Sequence, residues 1–179
     1  MLRVTVPERT LYDEKTGLYE KEDACVIEIE HSLFSISKWE AKYQKPFLSS
    51  EKTEAEVYYY IKCMTLNDVP NSVYARITRE NYERIKQYID SKHTATTIKP
   101  LEGKGAKRSQ HVTSELVYYW MSKFQIPYEC DKWNFGRLMT LIDVCNHEEA
   151  PKKKMSGREV ASRYKAANAA RRKAHGSRG

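Results

Sequence analysis

The sequence predicts a mainly α fold of the α+β kind. It reads as a helical, bundle-like core over residues 31–146, a small antiparallel β element over 1–30, and a linker with a basic pendant helix over 147–179. Three observations carry this reading. The stretch from Thr113 to Cys145 holds the densest apolar run and two of the three tryptophans, with apolar residues recurring at helical spacing. Residues 2–6 and 24–30 instead alternate with a period of two. Finally, residues 151–179 carry ten Lys/Arg and one acid, a net +9 against +7 for the whole chain, which leaves −2 for the body.

In chain order, LRVTV at 2–6 is a strand closed by Pro7. Lys15-Thr16-Gly17 offers a turn, with Tyr12 and Tyr19 on either side of it. ACVIEIE at 24–30 sets Cys25, Ile27 and Ile29 against Val26, Glu28 and Glu30, the pattern of a half-buried strand. Two strands alone are marginal in water, so this element should lie on the helices or pair with another chain.

Four helices follow. Leu33, Ile36, Trp39 and Tyr43 make a stripe behind a Ser32 cap, and Pro46 closes the segment. Ser49 or Ser50 can start the next helix, whose apolar face is Val57, Tyr60, Ile61 and Met64. LNDVPNS at 66–72 is turn chemistry. Thr78 caps a helix with Tyr82, Ile85 and Ile89 inward, and residues 91–112 lack periodicity and read as a long loop. Thr113 or Ser114 then caps a helix bearing Leu116, Val117, Trp120, Met121 and Phe124, which must stop before Pro127.

Asp131 is the expected cap of the next helix, apolar nearly all round and therefore expected at the centre of the core. Gly136 within it costs about 1 kcal/mol relative to Ala, which a close approach by a neighbour would explain. Beyond Cys145, Ser156 and Glu159 fit a capping box for an Ala-, Arg- and Lys-rich helix whose apolar face is only Val160, Tyr164 and alanines. TEAEVYYYI at 53–61 and TSELVYYWM at 113–121 share Thr, Val, Tyr and Tyr at equal offsets, consistent with a duplication but explained more simply by two independently capped aromatic helices.

Little in the chain points to chemistry. The five histidines fall in no nucleophile, metal or phosphate motif, and GKGAKRS at 103–109 lacks P-loop spacing. His31-Ser32 reads as a cap at a strand-to-helix junction. The cysteines Cys25, Cys63, Cys130 and Cys145 form no CxxC pair and read as small buried hydrophobes, so neither metal nor cofactor is expected. No apolar run approaches the roughly 20 residues of a membrane helix. MLRVTVPERT has no signal-peptide h-region, so a cytosolic protein is expected. Thirteen tyrosines exceed what one face can bury, which favours protein contact. The basic tail implies an acidic partner, either protein or nucleic acid.

EHSLFSISKWEAKYQKPFLS at 30–49, YYYIKCMTL at 58–66, HVTSELVYYWMSKFQIPYECDKWNFGRLMTLIDVCN at 111–146 and the basic ending resemble the tail assembly chaperones of long-tailed bacteriophages. HSLFSISKWE and IPYECDKWNFGRLMTLI are the most specific parts of a similarity that covers most of the chain. The resemblance implies a non-enzymatic factor that binds the helical tape measure protein and the tail-tube protein. It implies residence in the cytoplasm of the infected host and absence from the mature virion. A neck or connector protein of the virion and a nucleic-acid-binding accessory protein using the basic tail are the alternatives, and a homo-oligomer is compatible with each. On this reading Ser37, Lys38, Trp39 and Glu40 form one contact surface. Lys152, Lys153, Lys154, Arg158, Arg163, Lys165, Arg171, Arg172 and Lys173 form the other.

Overall fold

Alternation at the N-terminus does produce strands. The computed structural model describes residues 1–14, 17–97, 111–149 and 157–176. Strands β1 (Leu2–Val6) and β4 (Cys25–Ile29) pair antiparallel, as do β2 (Arg9–Asp13) and β3 (Leu18–Glu22). The two pairs share one register: Leu2 faces Ile29, and Arg9 faces Glu22. They are the two halves of one long ribbon, interrupted around Pro7, which cannot donate to a ladder. Gly17, at φ 67°, supplies left-handed backbone at the turn.

The near half of the ribbon is part of the core. Val4, Val6, Ile27 and Ile29 are essentially fully buried. Its β4 edge is covered by the chain leaving the second helix, through Glu30 N to Met64 O and Leu66 N to Glu28 O. The Asn67 side chain completes that cover, accepting from Glu28 N and donating to Val26 O. An edge so paired offers no template to another strand. Residues 1–148 thus form one compact unit, so position 30 is no domain boundary, while 149–179 form a second unit.

The rest of the first unit is helical, as expected. Helix α1 (Leu33–Tyr43) starts at a Ser32–Ser35 capping box and buries Leu33, Ile36 and Trp39. Helix α2 (Glu54–Met64) starts four residues later than the serines at 49 and 50 suggested. Thr53 and Glu56 make the capping box there, while Lys52 donates to the carbonyls of Phe47 and Ser50 and holds the preceding turn. A short helix α3 (Asn71–Tyr74) precedes α4 (Arg79–Asp90), capped by Thr78 as expected. Within α4 Ile85 is buried, but Tyr82 faces solvent at 42 % exposure, contrary to the periodicity.

Helix α5 (Ser114–Lys123) ends as the proline requires, with Gln125 at φ 55° and Ile126 N donating to Met121 O. A 3₁₀ turn (Tyr128–Lys132) leads to α6 (Phe135–Glu149). The cap of α6 is Asn134, whose Oδ1 accepts from Gly136 N and Arg137 N. Asp131 instead accepts from the Tyr118 hydroxyl at 3.0 Å. Nor is α6 buried all round: Phe135, Leu138 and Ile142 are inside, and Asp143 is exposed. Gly136 has the reason the sequence suggested. A Cβ there would stand 2.8 Å from the Lys92 carbonyl oxygen and 3.1 Å from its Cα. The last helix, α7 (Gly157–His175), lies in the second unit. The proposed Ser156–Glu159 box and most of the 91–112 loop lie outside the described residues.

Candidate interaction surfaces

Three regions bear on function, and α1 is the first because the sequence placed a contact surface there. Trp39 is fully buried. Its indole Nε1 donates to Glu56 O at 3.0 Å, and its ring meets Tyr43 and Phe47 at about 5 Å between centroids. Glu40 is also buried; its carboxylate accepts from Phe47 N and from Ser114 N, each at 2.7 Å. The second of these bonds caps α5 from 74 residues away, and the Thr113 side chain makes no cap bond. Trp39 and Glu40 are therefore core residues rather than contact residues, because the helical stripe that carries them faces inward. Ser37 and Lys38 lie on the outer side. Ser37 is half-buried and donates to Phe34 O; Lys38 is exposed, its ammonium 4.2 Å from the centre of the Phe34 ring, itself 41 % exposed.

Behind α1 lies a buried polar cluster. His31 Nδ1 is 2.5 Å from the Tyr60 hydroxyl, which also meets Ser35 Oγ at 3.3 Å. Burial lowers the His31 pKa to about 4, with Glu30 and Asp90 opposing the shift and His93 adding to it. Burial pushes the Tyr60 hydroxyl far above the ordinary phenol range. The histidine therefore stays neutral near pH 7, and its partner is Tyr60; Ser32 serves the α1 cap. Glu30 links three elements, accepting from the Tyr88 hydroxyl and Asn134 Nδ2. Desolvation pushes its carboxyl up, but the Met1 ammonium, Tyr88 and Asn134 outweigh that and hold it below the usual range. Among the described residues no group of three His, Cys, Asp or Glu could hold a metal, and all four cysteines are free thiols. No described helix is long and apolar enough to cross a membrane.

The far half of the ribbon is the second region, for which sequence pattern alone indicates no role. Tyr12 and Tyr19 face each other across it at 5.1 Å between ring centres and are 56 % and 75 % exposed. Leu11 and Leu18 are exposed on the opposite face, and none of the four side chains joins the core. Arg76 fixes its root. That side chain, 5 % exposed, donates to the carbonyls of Pro7, Glu22 and Asp23 at 3.1–3.2 Å, with Nε 3.5 Å from the Glu22 carboxylate. The signal was present in the sequence: two Leu-Tyr pairs, Leu11-Tyr12 and Leu18-Tyr19, flank a turn among charged residues.

Helix α7 is the third region. Arg158, Lys165 and Arg172 stand seven residues apart along one side, with Lys173 beside them, while Val160, Tyr164 and Ala167 gather on the other. Arg163 flanks the apolar side, and Arg171 continues its line one turn beyond Ala167. Of the described side chains in this helix only Val160 is half-buried; the rest are exposed. Lys152, Lys153 and Lys154 lie outside the described residues. Comparison with protein-family models, curated proteins and solved structures finds no match to this chain.

Proposed function

We propose that this protein is a non-enzymatic assembly factor of the phage tail chaperone type, which binds the tape measure and tail-tube proteins. The observation that carries the reading is α7. A 19-residue helix with six Lys/Arg, all of them exposed, in a unit separate from the body, suits an acidic partner. Its apolar side suits the face of another helix, and the basic side suits acids on that partner. The resemblance of the body and the ending to tail assembly chaperones supports the choice of partner. The host cytoplasm is then its place of action, and it leaves before the virion is complete.

The test is co-expression of the full chain, and of a form lacking 151–179, with the candidate tape measure and tube proteins, followed by pull-down at low and high salt. The full chain should keep the tape measure soluble, and the shortened form should lose that contact. Failure of both forms to bind, with the protein present at fixed copy number in purified particles, would replace this reading with a connector. Retention of DNA or RNA by α7, with a steep salt dependence and no protein capture, would replace it with a nucleic-acid accessory role.

A further inference from the structure

The first unit carries both a protruding apolar element and an apolar recess. The recess is a groove of about 460 Å³ on the outer side of α2, where α3 and the start of α4 meet it. Val57, Ile61 and Ile77 contribute apolar surface, and Tyr58, Tyr74 and Tyr82 supply aromatic rings. Glu54 also lines it, exposed and without an ion-pair partner among the described residues. The loop that forms part of the groove, Ala75 and Ile77, also contains Arg76, which pins the ribbon's root. The ribbon tip and the groove are thus separate features of one compact unit.

We propose that the chain self-associates head to tail, the β2–β3 tip of one copy seating its Tyr12–Tyr19 face in the α2–α4 groove of the next. A second copy fits on three counts. The tip exposes an aromatic pair that its own core does not cover, and the groove offers tyrosine rings to receive it. Lys21 lies on the same ribbon face as the tyrosines and is 60 % exposed; its own pair with Glu8, at 3.0 Å, is a solvent-exposed one that contributes little, so Lys21 can exchange it for Glu54 in the groove. The two-stranded tip is marginal in water on its own, so cover from a neighbour stabilises it. The two surfaces differ, so the contact is heterologous and repeats from copy to copy instead of closing as a two-fold dimer. The footprint is small, which places the association in the weak, concentration-dependent class.

Sedimentation velocity on the full chain tests this, at loading concentrations from about 5 to about 200 µM, the range in which a weak interface populates. Four proteins are compared: wild type, the tip variant Tyr12→Ser/Tyr19→Ser, the groove variant Glu54→Lys/Tyr82→Ser, and an equal mixture of the two variants. Circular dichroism first establishes that each variant is folded; both alter exposed side chains. Wild type should shift to dimer and larger species with concentration, and each variant alone should stay monomeric. The mixture should form dimers and nothing larger, since each pair retains one intact tip and one intact groove. A Lys21→Glu change should restore self-association to a Glu54→Lys single variant. A wild type that stays monomeric at the highest concentration overturns the proposal. So does loss in the tip variant with full association in the groove variant, which would mean tip-to-tip pairing, and so does a mixture that stays monomeric.

Discussion

Acidification probes the interior of the first unit through His31. The ring is 5 % exposed and its pKa falls to about 4, chiefly by desolvation. In the unfolded chain a histidine titrates near 6.5. Because the folded value is the lower one, the unfolded chain binds the extra proton between pH 6.5 and 4. Stability is then fully present above pH 6.5 and lost as pH falls through that window. A gap of about 2.5 units at 1.36 kcal/mol each caps the loss at about 3 kcal/mol, of which about 2 kcal/mol is gone by pH 5. That is a large share of an ordinary domain's stability of about 5–15 kcal/mol. The assay is urea unfolding by circular dichroism at about pH 7.5 and pH 5, in wild type and in His31→Gln, which cannot titrate. With a slope of about 1–3 kcal/mol per molar, the wild-type midpoint should drop by about 1 M. The Gln variant should start lower and show a much smaller drop. Glu30 does not confuse the result, since its carboxyl titrates below its usual range, under most of this window. Equal wild-type stability at the two pH values, or an undiminished drop in the variant, would refute the buried neutral histidine.

Other perturbations follow from the same contacts. Glu40→Ala strands two buried N–H donors, Phe47 N and Ser114 N, and should cost about 3–5 kcal/mol in urea unfolding, with faster hydrogen exchange at the start of α5. Gly136→Ala should destabilise by about 1–3 kcal/mol although Ala is the better helix former, because the new methyl meets Lys92 backbone; a gain in melting temperature would contradict the close approach. Arg76→Met removes three bonds to ribbon carbonyls and should speed hydrogen exchange over residues 9–22 with helix content unchanged; unaltered exchange would show that the root is held by something else. Deleting 151–179 should leave the unfolding free energy of the first unit, measured in urea, within about 0.5 kcal/mol of the full chain, as expected of a separate compact unit; a larger fall in the same experiment would contradict that independence.

The helices were legible where apolar spacing and a capping residue coincide, as at Ser32, Thr78 and Pro127. They were misread where the decisive partner is distant in sequence. Ser49 and Ser50 look like caps, and nothing local says that Lys52 will fold the chain back onto the Phe47 and Ser50 carbonyls first. Asp131 looks like a cap too, but Tyr118 on another helix takes it, and Asn134 does the capping instead. The same blindness explains the contact surface. Trp39 and Glu40 are a conspicuous pair in a polar stretch, and conspicuous residues invite a surface reading. Their partners include Glu56 O on α2 and Ser114 N at the start of α5, which the local stretch does not contain.

The ribbon shows the converse error, and its logic extends to the whole molecule. Its two halves share one register, but only the near half alternates in sequence, so pattern alone shows the far half as no more than a turn between two tyrosines. What separates them is support. The near half lies against helices and has its edge filled by Thr65 to Asn67; the far half begins where Arg76 ends, and its aromatic pair has no core to join. An apolar pair left outside by a fold that could have shortened the ribbon by a few residues stands to gain from cover. The tip is therefore where a partner gains most from binding, and the buried Trp39 is where it gains least.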